Sequence, residues 1–155
     1  MRLREGYPMH EEKWHVFPWR VRYLECDRMG VVYHPQYLNW FEIGRTEWIR
    51  ARGLTYRELE ESGLYLPVID ANIHYKQPAR YDDIVLIGTR VAEVNRLQIV
   101  FESEIRRKPE NRDDIPFNEA ELLASGNTRH VWLNAKWKPV RIDREYPELY
   151  KMLTE

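Results

Sequence analysis

CDRMGVVYHPQY, residues 26–37, is the stretch on which the reading of this chain turns. A segment rich in Val, Trp and Tyr ends on Asp27, Gly30 follows, and Val31-Val32-Tyr33-His34-Pro35 leads into a long amphipathic pattern. An acid at a strand end, facing the start of a helix, is a place for a catalytic carboxylate and equally an ordinary turn. The flanking sequence decides between them.

Beyond this stretch, Tyr37, Phe41, Gly44, Trp48 and Ala51 fall at alternating steps of four and three, one face of an α-helix. Glycine costs about 1 kcal/mol against alanine inside a helix, so Gly44 marks a close approach of another backbone. Gly53 suits the left-handed residue that closes the helix. Thr55-Tyr56-Arg57-Glu58 is a capping box opening a short helix that Gly63 ends.

The other segments read as strands. Residues 14–26 carry Val16, Trp19, Val21, Tyr23 and Leu24, with Pro18 confining the early part to an edge. Residues 64–76 form a second strand with a bulge at Pro67, and 77–83 a loop. Residues 84–94 form a third, followed by a turn at Asn95-Arg96, where Asn tolerates positive φ. Leu97, Ile99, Phe101, Ser103 and Ile105 alternate with mostly polar residues as in a half-buried strand. Residues 108–118 are an exposed loop, 121–135 the last long strand, and 138–144 a tail. Tyr146-Pro147 opens a terminal helix, since Pro fits a first helical position. The fold class is therefore α+β, an antiparallel sheet of about five strands with one long helix on one face. Its other face and open edges invite a second copy, so a dimer or larger is expected.

With 155 residues the chain has room for one domain with a real core. A loose leader over 1–13, a domain over 14–144 and a C-terminal tail over 145–155, able to form a short helix, are the expected divisions. A net charge of -1 and a pI near 6.5 argue against nucleic acid or an anionic membrane as partner. Cys26 is the single cysteine, which excludes an intrachain disulfide and a cysteine-rich metal site. No dense His/Asp/Glu cluster has metal-ligand spacing. No apolar run resembles a signal peptide or reaches the roughly 20 residues that span a bilayer, so a cytoplasmic location is expected.

The ordered set Asp27-Arg28-Met29-Gly30-Val31-Val32-Tyr33-His34-Pro35-Gln36-Tyr37-Leu38, with Phe41-Glu42 and Arg45-Thr46-Glu47-Trp48, resembles the 4-hydroxybenzoyl-CoA thioesterase family, YbgC-type branch. Tyr75, Pro78, Tyr81-Asp82-Asp83, Gly126, His130-Val131 and Lys138-Pro139-Val140-Arg141 continue the likeness over roughly 16–141. The resemblance implies a hotdog fold, in which the sheet wraps the long helix. It implies dimers with interfacial sites that often pair into tetramers, and hydrolysis of an acyl-CoA thioester with no cofactor and no metal. Asp27 is implied as nucleophile or as base for the attacking water, and the backbone N–H of His34 as the group polarising the carbonyl. Gly30 shapes the turn and Tyr33 belongs to the same catalytic stretch. Val32 and Tyr37 are implied at the substrate; Lys76, Arg80, Arg129 and Arg141 are candidates for CoA phosphates.

The residues suit that chemistry. A carboxylate is ionised at neutral pH in its ordinary range, and a helix start aims N–H groups and a positive dipole end at the space before it. Other readings stand beside this one. Cys26 with His34 as base would make a thiol nucleophile, although a strand Cys is usually a small buried hydrophobe. Glu42 and Glu47 lie on the helix where another hotdog branch carries its acid. A hydratase of enoyl thioesters recruiting His34 or His74, and a non-catalytic acyl-CoA binder, remain alternative functions. Glu25-Cys26, the long 108–119 loop and the leader depart from the family pattern and bear on acyl and CoA specificity.

Overall fold

The four-and-three spacing becomes α1, Gln36–Arg50, in the computed structural model, which describes residues 13–155. Tyr37, Phe41, Gly44 and Trp48 are buried as the spacing requires, and Trp40, Arg45 and Ile49 widen the stripe. Ala51, expected on the same face, lies past the helix end and is exposed. Gly53 takes φ 84° and Gly63 φ 92°, and the Thr55–Glu58 capping box starts α2, Tyr56–Glu61.

The strands are β1 (His15–Arg20), β2 (Leu64–Tyr65), β3 (Val68–Tyr75), β4 (Ile84–Val94), β5 (Gln98–Arg107), β6 (Glu121–Val131) and β7 (Leu133–Asn134). Five form one antiparallel sheet in the order β1-β4-β5-β6-β3, and β2 pairs with β7 as a small separate ribbon. Pro18 sits on an edge strand, as expected. Four expectations need correction. The strand over 14–26 stops at Arg20, and Tyr23–Glu25 turn as a 3-10 helix because the Glu25 carboxylate captures the Arg22 N–H. The strand over 64–76 breaks at Leu66-Pro67, so its two parts join different sheets; the strand over 121–135 breaks correspondingly at Trp132. Asn95 makes its turn through the side chain, Oδ1 accepting from the N–H groups of Leu97 and Gln98, and not through positive φ.

α1 lies against β4, and the buried side chains form two clusters along it. One gathers Tyr37, Trp40 and Phe41 with Ile87, Ile105 and Leu123; the other gathers Trp48 and Ile49 with Phe101, Trp132 and the end of the chain. That end is packed, and the terminal helix expected from Tyr146-Pro147 forms. Val140 and Ile142 are buried, α3 spans Ile142–Glu145, and α4 (Pro147–Thr154) seats Leu149 and Leu153 in the second cluster. The expected leader over 1–13 lies outside the described residues apart from Lys13. Among the described residues, no helix is long and apolar enough to cross a membrane.

Gly44 marks the tightest helix-to-sheet contact. A Cβ there would run into Thr89 Oγ1 and stand 2.8 Å from Ile87 Cγ2, both on β4. Gly44→Ala is therefore expected to cost about 1–3 kcal/mol through overpacking, despite the better helix propensity of alanine. Urea denaturation measures this; a midpoint at or above wild type would contradict the packing.

His130, on β6, is 1% exposed, with Nδ1 3.1 Å from the Leu66 carbonyl and Nε2 2.9 Å from Thr128 Oγ1. Burial, with Arg45 nearby, lowers its pKa to about 4. The folded state thus holds His130 neutral where the unfolded chain takes up a proton, and stability falls as pH drops from about 6.5 towards 4. The loss is at most about 3 kcal/mol. His130→Gln should flatten this part of the wild-type stability-against-pH curve; parallel curves would contradict it.

Candidate active site

The Asp27 loop is built on a buried carboxylate two residues before it. Glu25 is 2% exposed and accepts from the Arg22 N–H (2.7 Å), Trp40 Nε1 (2.9 Å) and Trp19 Nε1 (3.2 Å). It ties the end of the β1 segment to α1. The backbone then folds tightly on itself: Cys26 and Val32 form an antiparallel bridge, and the Tyr33 N–H donates to the Glu25 carbonyl at 2.9 Å. Inside this clasp the Asp27 N–H donates to the Val31 carbonyl and the Gly30 N–H to the Asp27 carbonyl, at 2.8 and 3.1 Å. Gly30 takes φ 80°, open to glycine and costly for other residues.

The half-buried Asp27 carboxylate accepts one bond, from the Met29 N–H to Oδ1 at 2.8 Å. Its second oxygen has no protein donor among the described residues. Across the loop the first helical N–H groups are occupied in 3-10 fashion, Gln36 to Tyr33 O and Leu38 to Pro35 O. The His34 N–H, just before α1, has no acceptor among the described residues. The His34 carbonyl is pinned at the same time by the Tyr75 hydroxyl, which donates to it at 2.9 Å from edge strand β3. Tyr37 is buried under the loop, its hydroxyl accepting from the Ala79 N–H at 3.0 Å. Burial pushes the Tyr37 and Tyr75 phenols up, so both hydroxyls stay protonated at neutral pH.

Asp27, Val32, His34, Tyr37, Tyr75 and Lys76 line one cleft of about 280 Å³. Of the residues expected in the site, Asp27, Val32, His34, Tyr37 and Lys76 assemble here. Tyr33 does not line the cleft; its half-exposed ring packs edge-on against His34 at 5.0 Å. Arg80 is exposed on the loop after Pro78 and does not line the cleft. Arg129 is not brought to it: on β6 it bonds Gln98 at 3.0 Å and Glu93 at 3.7 Å, facing a different, polar hollow beside Asp70 and Asn72. Arg141 is paired with Asp143 at 2.6 Å. The Cys26 thiol is raised by burial and by Glu25, Asp27 and Asp83, which keeps it protonated and speaks against a thiolate nucleophile.

Two contributors escaped the sequence reading. Glu25 stood in a strand-like run with nothing local to signal burial; the partner that ties it to α1, Trp40, is 15 residues away. Tyr75 was noted for its resemblance alone, and its bond to His34 spans 41 residues.

Comparison with known proteins agrees with this architecture. Residues 29–113 match the family described as the thioesterase superfamily; the match begins two residues after Asp27. YneP of Bacillus subtilis is 32% identical over 142 residues, covering 90% of this chain and 93% of the relative. The acyl-CoA thioesterase YbgC of Haemophilus influenzae is 41% identical over 92 residues, 59% of this chain and 68% of the relative. The crystal structure of the DHNA-CoA thioesterase from Staphylococcus aureus superposes with a TM-score of 0.79 at 31% identity, covering 90% of this chain and 87% of that one. With a five-stranded sheet packed on one long helix, a family match across more than half its length and two relatives aligned over 90% of it, the chain belongs to the thioesterase superfamily and has its hotdog fold.

Proposed function

We propose that this protein hydrolyses acyl-CoA thioesters at the Asp27 cleft. The observation that carries the reading is the pairing, within one cleft, of a carboxylate oxygen without a donor and a helix-start N–H without an acceptor among the described residues. Asp27 supplies the attack, directly as nucleophile or by taking a proton from water. In the second route, hydroxide from water adds to the carbonyl carbon, and the C–S bond breaks. The acid forms, and the thiolate of CoA leaves with the proton returned through the carboxyl. The His34 N–H receives the developing oxyanion, a contact worth about 3–4 kcal/mol where such donors have been removed. Tyr75 holds that N–H in place by fixing the carbonyl of the same residue. Lys76 is the cation beside the cleft suited to a CoA phosphate. No metal or cofactor enters this scheme.

The working unit is a dimer. Among the described residues, edge strand β3 has no neighbour on one side, and it exposes Val68, Ile69 and Tyr75. Pairing with a second β3 would extend the sheet and bring the partner next to the cleft that Tyr75 lines. Pairing of such dimers into tetramers is the further assembly expected.

Crotonyl-CoA separates this reaction from hydration of an enoyl thioester. Hydrolysis releases free thiol in step with substrate loss. Loss of the conjugated absorbance without thiol would overturn the proposal, and tight binding with neither change would make the protein an acyl-CoA binder.

A further inference from the structure

Pro78 lines the thioester cleft from residues 76–83, a connection between β3 and β4 with no helix or strand of its own. A guanidinium outside the cleft holds it there. Arg107 ends β5, and its fork reaches three groups. Nη2 donates to the Pro78 carbonyl at 2.7 Å, Nη1 to the Asp83 carboxylate, and Nε to Glu121 Oε1 at 3.0 Å. Asp83 Oδ2 also accepts from the Arg80 N–H at 2.9 Å, so the two ends of the 78–83 turn meet on one side chain. Two carboxylates balance the Arg107 charge and the side chain does not line the cleft, so an anionic group of the substrate is not its partner.

The carbonyl that Arg107 grips belongs to the peptide that joins the two halves of the site. Its other end is the Ala79 N–H, which donates to the Tyr37 hydroxyl at 3.0 Å, so Arg107 and Tyr37 hold opposite ends of one planar unit. Ala79 is fully buried, and its own carbonyl accepts from the Val32 N–H at 2.9 Å. Val32 stands two residues before His34 on the Asp27 loop, and Tyr37 three residues after it in the first turn of α1. Ala79 thus sets the spacing between loop and helix start on either side of the His34 N–H. Pro78 has no N–H with which to anchor this peptide, so its carbonyl is the remaining handle. Placement matters here, because a shift of about 1 Å in a catalytic group costs about 10²-fold in rate.

We propose that Arg107 is a positioning residue for thioester hydrolysis: by gripping the Pro78–Ala79 peptide it keeps the His34 N–H aligned with Asp27. This rests on the thioesterase reading of the cleft. Arg107→Lys tests it, since an ammonium keeps the charge facing Asp83 and Glu121 but gathers its donors at one point and loses the fork. In steady-state thiol release, kcat of the folded variant should fall by about 10- to 100-fold with KM within about threefold of wild type. Glu121→Gln loosens the arm of the fork that does not touch the connection, and should keep kcat within about threefold. Hydrogen exchange reads the grip without turnover: the Val32 and Ala79 amides should exchange at least about tenfold faster in Arg107→Lys, with the middle of β4 and β5 protected as in wild type. Wild-type kcat in Arg107→Lys, or an equal fall in Glu121→Gln, would overturn the proposal. Where Arg107→Lys does not fold, Arg107→Gln decides by the same two readouts. A wild-type protein that releases no thiol would instead end the thioesterase reading, and unchanged exchange of the two amides would then overturn the grip itself.

Discussion

Asp27→Asn is expected to slow thiol release from acyl-CoA by about 10²–10⁴-fold, the usual contribution of a positioned base. The replacement keeps the shape of the loop: an asparagine Oδ1 can still accept from the Met29 N–H, the one bond the carboxylate makes among the described residues. Fold, oligomer and thermal stability should therefore stay near wild type, and the loss should fall on kcat and not on KM. A variant retaining near-wild-type turnover would remove Asp27 from the chemistry. An equal collapse of stability would mean that the residue serves the turn.

The second large effect is structural. Glu25→Ala should destabilise the protein by about 3–5 kcal/mol, because one truncation strands two indole N–H groups and the Arg22 N–H in a site that is 2% exposed. Trp40 anchors Glu25 to α1, so what loosens is the seat of the Asp27 loop. Glu25→Gln keeps an acceptor and should recover part of the loss. Urea denaturation of both variants measures this; a cost below about 1 kcal/mol for Glu25→Ala would show that water replaces the carboxylate at no penalty. Activity lost in protein that remains folded would show that the clasp also positions the cleft.

Features set by neighbours in sequence were legible. The α1 face, the Thr55 capping box, Gly53 and Gly63 at helix ends, and the alternation of β5 depend on spacing or a single backbone preference, and apart from Ala51, which lies past the end of α1, the structure places each as read. Features set by distant partners were not. Nothing near Leu66-Pro67 says that β2 joins β7 while β3 joins β6. Glu25 and Arg45 are ordinary surface types by composition, and their burial follows from Trp40 and Thr128 arriving from elsewhere in the chain. The cleft itself was half legible. Asp27, Gly30 and His34 lie within one loop, but Tyr75 reaches them only because the sheet brings β3 alongside α1. Scattered cations were the weakest signal: Lys76 reaches the cleft, while Arg129 and Arg141 are committed to Glu93 and Asp143.

The most direct measurement is thiol release by the wild-type protein, followed with Ellman's reagent over short, medium, long and aromatic acyl-CoAs. Hydrolysis at the Asp27 cleft predicts saturable release of one thiol per thioester consumed, with at least one acyl class turned over well above the uncatalysed rate. Binding of acyl-CoA with no thiol released from any class would contradict it.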